Sequence, residues 1–95
     1  MKSIIKESKS CFFCGSETGL EKHHCMHGTA NRKLADADGL WVYLCPECHR
    51  GTYGVHGCKG HDNDMTLKRA AEYAWLKVNG KTVADWIKRY GKNWL

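Results

Sequence analysis

Two pairs of cysteines are spaced to bind one metal ion. Cys11 and Cys14 form one CxxC turn, and Cys45 and Cys48 form a second, with residues 15–44 between them. Each turn places two sulfur atoms within reach of a single tetrahedral ion, and two such turns make the four-thiolate set that is typical of structural zinc. We therefore predict a closed Zn²⁺ site that stabilises the fold and leaves no coordination position for a substrate.

Histidines stand between and after these two turns. His23 and His24 are adjacent, His49 follows Cys48 directly, and His56 comes seven residues after His49. Imidazole binds divalent ions and exchanges a proton near neutral pH, so these side chains can hold a second metal ion or activate water. The pattern therefore predicts chemistry at a second site.

A second closed zinc site is an alternative use of the same region. Its soft ligands would come from Cys25, His49, His56, Cys58 and His61. Such a set is large enough to complete a tetrahedron, and a complete tetrahedron would leave no position for a phosphate oxygen. The sequence alone leaves both arrangements open.

The segments around these residues predict two short strands and a helix. Residues 20–25 and 40–44 are the candidate strands, and the second is the richer in β-favouring side chains. Pro46 suits the first turn of a helix, which would carry Cys48 and His49. The ligands therefore lie on or beside regular elements.

Three further segments are predicted to be irregular. Residues 26–39 are polar and contain glycine, asparagine and aspartate, which favour turns. Residues 51–60 hold four glycines, and residues 1–10 are polar. We expect loops in the first two segments and a frayed amino terminus in the third.

A helical hairpin is predicted for the carboxy-terminal third of the chain. Asp64 can cap a first helix that ends at Asn79 and Gly80, with apolar residues at helical spacing: Leu67, Ala71, Ala74 and Val78. Thr82 and Asp85 form a variant capping box for a second helix, which runs through Tyr90 and stops at Gly91. Four aromatic side chains are expected to pack this hairpin onto the zinc core: Trp75, Trp86, Tyr90 and Trp94.

Size and charge favour one small domain with an acidic partner. The chain has 95 residues and a net charge of +5, and residues 65–95 alone carry seven basic and two acidic side chains. This excess predicts a phosphate-binding surface that includes Lys68, Arg69, Lys88 and Arg89, although a solvated helix face is an equal alternative. Six cysteines fall below the density of a disulfide scaffold and residues 1–7 lack the apolar run of a signal peptide, so we expect reduced thiols. No apolar run is long enough for a membrane span, and we expect a cytoplasmic protein.

The combined motifs resemble the zinc-knuckle branch of the HNH nuclease family. The resemblance rests on a CxxCG turn, a His-His pair, a Leu-Cys-x2-Cys-His segment and a further histidine, and it covers residues 11–57. The tail from Gly91 also resembles small phage-encoded members. The resemblance implies a small α+β domain over residues 1–95, with a zinc-stapled ββα-metal core at 11–57 and a basic helical hairpin at 64–95.

The resemblance also implies an activity, namely metal-dependent nicking or cutting of DNA. His24 would be the general base, and His23, His49 and His56 would hold a second ion: Mg²⁺, Mn²⁺ or Zn²⁺. The family's asparagine usually stands where this chain has Leu40, and Asn31 is the only nearby asparagine that could replace it. The side chains expected to clamp phosphate oxygens are Lys22, Arg32, Lys33 and Arg50.

A second function class stays open beside the nuclease. A phage can reuse such a scaffold as an inert binding module, for example an anti-CRISPR protein that blocks a host Cas nuclease. Leu40 and the spare cysteines favour this alternative, whereas the His-His pair and the basic tail favour the enzyme.

Overall fold

Two short antiparallel strands form the only sheet. The computed structural model describes residues 1–95, and its elements in chain order are β1 (Glu21–His24), α1 (Thr29–Asp38), β2 (Trp41–Leu44), α2 (Pro46–Arg50), α3 (His61–Asn79) and α4 (Val83–Tyr90). In the sheet, Lys22 pairs with Tyr43, His23 with Val42 and His24 with Trp41. The predicted α+β class, with two strands before a short helix and a carboxy-terminal hairpin, is therefore confirmed at this level.

The two faces of the sheet have different roles. Successive side chains of a strand point to opposite faces, so His23 and Val42 share the buried inner face. Lys22, His24 and Trp41 lie on the outer face, where none of them is fully buried. The two adjacent histidines consequently enter different surroundings.

Helix α1 occupies a segment that was predicted to be a loop. Its left-handed end at Gly39, with φ of 73°, donates a backbone hydrogen bond to Ala35 and Asp36. Within the helix only Ala35 is buried, and Leu34 is partly buried against the core. The prediction was wrong because it followed the polar composition of the segment, although Ala30 and Leu34 stand at helical spacing within it.

The amino terminus is docked on the sheet, which corrects the expected frayed end. The Ser3 hydroxyl donates to the Trp41 carbonyl at 2.5 Å, and the Ile4 N–H donates to the Gly39 carbonyl at 2.9 Å. The Trp41 indole N–H in turn donates to the Met1 carbonyl at 3.0 Å. A side chain at position 39 would collide with the Lys2 carbonyl, so glycine permits this crossing.

The glycine-rich segment 51–60 folds tightly back on helix α2. The N–H groups of Val55 and His56 each donate a 3.0 Å hydrogen bond, to the carbonyls of Cys48 and His49 respectively. A Cβ atom at Gly60 would collide with the Gly54 carbonyl, so this packing depends on glycine. The segment contains no regular helix or strand, as predicted, and it returns His56 to the side of His49.

The carboxy-terminal hairpin is close to its prediction. Thr82 and Asp85 form the expected capping box, and Gly80 and Gly91 end the two helices in left-handed conformations. Helix α3 begins at His61 after an N-cap at Gly60, three residues before the predicted cap, and Asp64 lies in its first turn, paired with His27 and Lys68. None of the four helices is both long and apolar enough to cross a lipid bilayer.

Aromatic packing holds the hairpin together. The ring of Trp86 lies 5.6 Å from Trp75, 4.2 Å from Tyr90 and 6.3 Å from Trp94, measured between centroids. Arg89 and Tyr90 both bond to Asp38 at the end of α1, which ties the hairpin to the rest of the domain. The four predicted aromatic residues thus pack together, whereas Val78, expected on the apolar face, is 58% exposed.

Candidate metal centres

Four cysteine sulfur atoms lie close together at the end of the sheet where β2 leads into α2. The four-cysteine cluster consists of Cys11, Cys14, Cys45 and Cys48, and its sulfur atoms all lie within 4.8 Å of one another. The sulfurs of Cys14 and Cys45 are 3.6 Å apart. Two thiolates on a tetrahedral zinc ion lie about 3.8 Å apart, since Zn–S is about 2.3 Å. The cluster therefore has the dimensions of a site that can hold a structural metal such as zinc.

Backbone geometry brings these sulfurs together. Cys45 is the N-cap of α2, and its sulfur accepts the Cys48 N–H, so this pair is set by the start of the helix. The Phe12 N–H donates to the Tyr43 carbonyl at 2.9 Å, which holds the first turn against β2. The long sequence separation between the two turns is thus bridged by the sheet itself.

The thiols of this cluster ionise unequally. Burial opposes ionisation of Cys11, but N–H groups of Cys14, Cys45 and Phe13 donate to its sulfur and lower its pKa to about 6. Burial and the neighbouring thiols raise the pKa of Cys48. One thiolate therefore forms readily and disfavours the next, a repulsion that a divalent cation would reverse.

Three histidines form a second cluster on the other side of α2. The histidine cluster consists of His23 on β1, His49 on α2 and His56 in the glycine-rich segment, and their ligand nitrogens lie within 4.8 Å of one another. His23 is 3% exposed, and its Nε2 atom is buried without a hydrogen-bond partner. A buried nitrogen normally has a partner, so an unpartnered one that faces two other imidazoles fits a metal ligand.

The electrostatics of this cluster favour the neutral forms of His23 and His56. Burial, followed by the nearby His49 and His56, lowers the pKa of His23 to about 3. Burial and His49 also lower the pKa of His56. Neutral imidazole is the form that binds metal, so both side chains are available as ligands at neutral pH.

The carboxylate of Glu21 orients His49. Glu21 on β1 lies 2.8 Å from His49 through Oε1 and 2.7 Å from Arg50 through Oε2. With Glu21 accepting the Nδ1–H of His49, the Nε2 lone pair of that ring is left for a metal ion. The hydrogen bond from His49 lowers the pKa of Glu21, so its carboxylate stays charged at neutral pH. This arrangement is the carboxylate–histidine pair found behind many metal ligands.

The histidine cluster opens into a cavity of about 280 Å³. We call it the central cavity; besides the three ligands its wall includes Lys22, His24, His27 and Arg32. On the outer side of β1, His24 Nε2 lies 3.3 Å from Asp36 Oδ1, and Lys22 Nζ lies 2.6 Å from the same oxygen. His24, the cations Lys22 and Arg32, and the histidine cluster therefore line one cavity.

A second histidine–aspartate pair lies at the opposite wall of the cavity. His27 Nε2 is 2.7 Å from Asp64 Oδ1, and Lys68 is 2.9 Å from the other oxygen of Asp64. Burial raises the pKa of Asp64, but hydrogen bonds from Lys68 and His27 outweigh it and lower the value. Sequence reasoning missed Asp36 and Asp64 as site residues, because each reaches its histidine only through packing of a distant helix.

Several predicted residues lie outside the two clusters. Asn31 is on α1 and does not line the central cavity, and Leu40 is fully buried in the core. Cys25 is also fully buried, and burial raises the pKa of its thiol. Cys58 and His61 are exposed and belong to neither cluster. The structure thus assembles His23, His49 and His56 without Cys25, Cys58 or His61, the other members of the alternative zinc set.

The predicted phosphate-binding residues divide into two groups. Lys22 and Arg32 face the central cavity, and Lys33 lines an adjoining hollow beside His24 and Asp36. Most of the set is already engaged within the chain: Lys22 with Asp36, Arg50 with Glu21, Lys68 with Asp64, Arg69 with the Trp94 carbonyl, and Arg89 with Asp38. Lys88 forms no ion pair.

Comparison with known proteins leaves the function to be argued from this geometry. No family model, curated protein or solved structure matches the chain. The HNH resemblance therefore stays a prediction from the motifs.

Proposed function

We propose that this protein is a metal-dependent nuclease of the HNH type that nicks or cuts DNA. The observation that carries the proposal is the opening of the histidine cluster, His23, His49 and His56, into a cavity shared with His24 and two cations. Three protein ligands with an open fourth side are the arrangement of catalytic metal sites, whereas structural sites are closed.

The ligand set favours a particular class of ion. All three donors are imidazole nitrogens. Nitrogen donors suit Zn²⁺ and other transition ions, whereas Mg²⁺ prefers oxygen ligands. When bound, such an ion polarises the phosphodiester and stabilises the charge that develops on its oxygens.

The residues of the chain supply the rest of the chemistry. His24 is the general base, which takes a proton from the attacking water. If Asp36 accepts the Nε2–H of His24, the Nδ1 lone pair is the one left to receive that proton. Lys22 and Arg32 at the cavity wall contact the phosphate oxygens.

Asp36 takes the orienting role that the resemblance assigns to an asparagine. Leu40 stands at the asparagine position and is buried, and Asn31 lies away from the cavity. Asp36 is the side chain that contacts His24 through a hydrogen bond. Its pKa is lowered first by Lys22 and then by His24, so it is a charged partner at neutral pH.

Plasmid nicking tests the proposal. Supercoiled plasmid should be converted to open circles when Zn²⁺, Mn²⁺ or Mg²⁺ is added, and chelation should stop the conversion. His24→Ala should lower the rate by about 10²- to 10⁴-fold and leave the zinc content of the four-cysteine cluster unchanged. His61→Ala is the matched control, because His61 is exposed and outside the cavity. Wild-type rates for His24→Ala at saturating metal would refute this role.

A second candidate is an inert scaffold that binds a host nuclease, as an anti-CRISPR protein does. The burial of Leu40 at the asparagine position is the observation that favours it. This candidate predicts intact plasmid with every ion, together with stable complex formation with a Cas nuclease in size-exclusion chromatography.

A further inference from the structure

A second hollow lies on the outer face of the sheet, away from both metal clusters. We call it the lysine–aromatic pocket; it encloses about 430 Å³ between the rings of Trp41 and Tyr43 and the amino-terminal residues Lys2, Lys6 and Lys9. The two rings meet edge to face, with centroids 5.2 Å apart and an interplanar angle of 86°. Its volume lies within the range of about 300–1,000 Å³ that is usual for small-ligand sites.

The charge of the pocket wall is positive and not neutralised from within. None of Lys2, Lys6 and Lys9 forms an ion pair, and Glu7 is the single acidic side chain in the wall. Lys9 Nζ lies 5.8 Å from the centroid of the Tyr43 ring. Cations around an aromatic surface are complementary to a polyanion with planar groups.

The lysine–aromatic pocket adjoins His24, the proposed general base. Trp41 pairs with His24 across the sheet, and Tyr43 pairs with Lys22. Lys22 Nζ lies 4.4 Å from the centroid of the Trp41 ring. A chain of nucleotides that runs over this face therefore passes from the lysine–aromatic pocket to His24 and the central cavity.

We propose that the lysine–aromatic pocket binds an unpaired nucleotide of single-stranded DNA next to the phosphate that is cut. The base stacks on Tyr43, since Lys22 already covers the Trp41 ring, and the flanking phosphates contact Lys2, Lys6 and Lys9. Bases inside a duplex are stacked on their neighbours and cannot offer a face to these rings, so the pocket selects unpaired segments. This inference rests on the proposed nuclease function, which it deepens by naming the preferred substrate.

Fluorescence anisotropy tests the pocket without requiring catalysis. The probes are a fluorescein-labelled dT oligonucleotide and a blunt duplex of the same length, with protein that retains its structural zinc and receives no added ion. We expect tighter binding of the oligonucleotide. Tyr43→Val should weaken it by about 5- to 100-fold, the usual effect of losing one stacking partner, while Tyr43→Phe should bind like wild type.

Matched variants separate the pocket from general charge. Tyr53 stands near Lys59 with a similar ring-to-ammonium distance of 5.7 Å, but on the distant glycine-rich segment, so Tyr53→Val should leave binding unchanged. Lys2→Gln/Lys9→Gln should reduce the slope of log K against log salt by about 1.4, since each single-strand phosphate contact contributes about 0.7. Both lysines are exposed, so this variant should fold even if Tyr43→Val does not.

Three results would overturn the inference. They are equal loss of binding in the Tyr43 and Tyr53 variants, equal affinity for oligonucleotide and duplex, and stronger displacement of the probe by polyglutamate than by unlabelled dT. If plasmid and single-stranded dT both stay uncut with every ion while dT binding depends on Tyr43, the nuclease is refuted and the pocket is kept. Nicking that persists in a Tyr43→Val protein with unchanged dT affinity would remove the pocket alone.

Discussion

Removing the carboxylate behind His49 should weaken the second metal site selectively. Glu21 contacts His49 at 2.8 Å, and losing such an outer partner usually costs about 10- to 100-fold in metal affinity. A glutamine can still accept the His49 N–H but has no charge, so Glu21→Gln should lie near the tenfold end, about 1.4 kcal/mol. Glu21→Ala loses orientation as well and should lie near the hundredfold end, about 2.7 kcal/mol.

Competition against a fluorescent zinc chelator measures this effect. The four-cysteine cluster is loaded first, so that the titration reports the second equivalent only. Co²⁺ provides a check, because thiolate ligands produce intense charge-transfer absorption in the near ultraviolet and imidazole ligands do not. The Glu21 variants should change the binding of the second equivalent and leave the thiolate bands intact.

Two controls make the prediction sharp. Glu47→Gln makes the same chemical change on α2, at an exposed side chain without an ion pair, and should leave metal affinity unchanged. Arg50→Gln removes the other partner of Glu21, and because Arg50 is 62% exposed its effect should stay below about fivefold. If His23→Ala removes the second equivalent while Glu21→Ala does not weaken it, the orienting role of Glu21 is refuted. A second equivalent that survives in His23→Ala would refute the histidine cluster itself.

Three further predictions address the structural zinc, the stability of the fold at alkaline pH, and the role of Asp36 in orienting His24. A Cys14→Ser/Cys45→Ser variant should lose its zinc by elemental analysis and its helical circular dichroism, because two thiolates cannot close the site. Burial and a carboxylate partner raise the pKa of Tyr90, so its contribution to stability is complete below about pH 10 and is lost as pH rises through the raised value. The free energy of unfolding measured in urea should therefore differ less between about pH 8 and pH 11 for Tyr90→Phe than for wild type. Asp36→Asn should slow nicking by about 10- to 100-fold at saturating metal, below the roughly 10⁴-fold of a buried triad, since Asp36 is 52% exposed; Asp36→Glu should retain activity.

Features that are encoded locally could be predicted from the sequence. A CxxC turn holds its two sulfurs close in almost any surroundings, so the four-cysteine cluster needed only the assumption that the two turns meet. The capping box of Thr82 and Asp85 and the left-handed end at Gly91 likewise depend on a few neighbouring residues. These features share short-range geometry, which a single sequence contains in full.

Features that depend on packing could not be predicted. Helix α1 buries only Ala35, and its polar composition resembles that of a loop, although Ala30 and Leu34 stand at helical spacing. Asp36 reaches His24 because that helix lies across the outer face of β1, and Asp64 reaches His27 across 37 residues of sequence. The glycine-rich segment was predicted only to be a loop, yet its close backbone approaches bring His56 beside His49.

Helix α2 connects the four-cysteine cluster to the histidine cluster. Cys48 and His49 are adjacent on this five-residue helix, so the four-cysteine cluster and the histidine cluster share one short rigid element. A helix of that length is not stable by itself and needs tertiary contacts to persist. A structural ion at the cysteines therefore fixes the position of His49. Because the His56 N–H donates to the His49 carbonyl, such an ion also positions His56. The coupling is unequal, since the cysteines hold α2 and β2 without the histidines, whereas the histidines depend on α2 being held. An ion bound at the histidine cluster could thus leave without unfolding the domain, which is the property a centre needs if its coordination changes during a reaction.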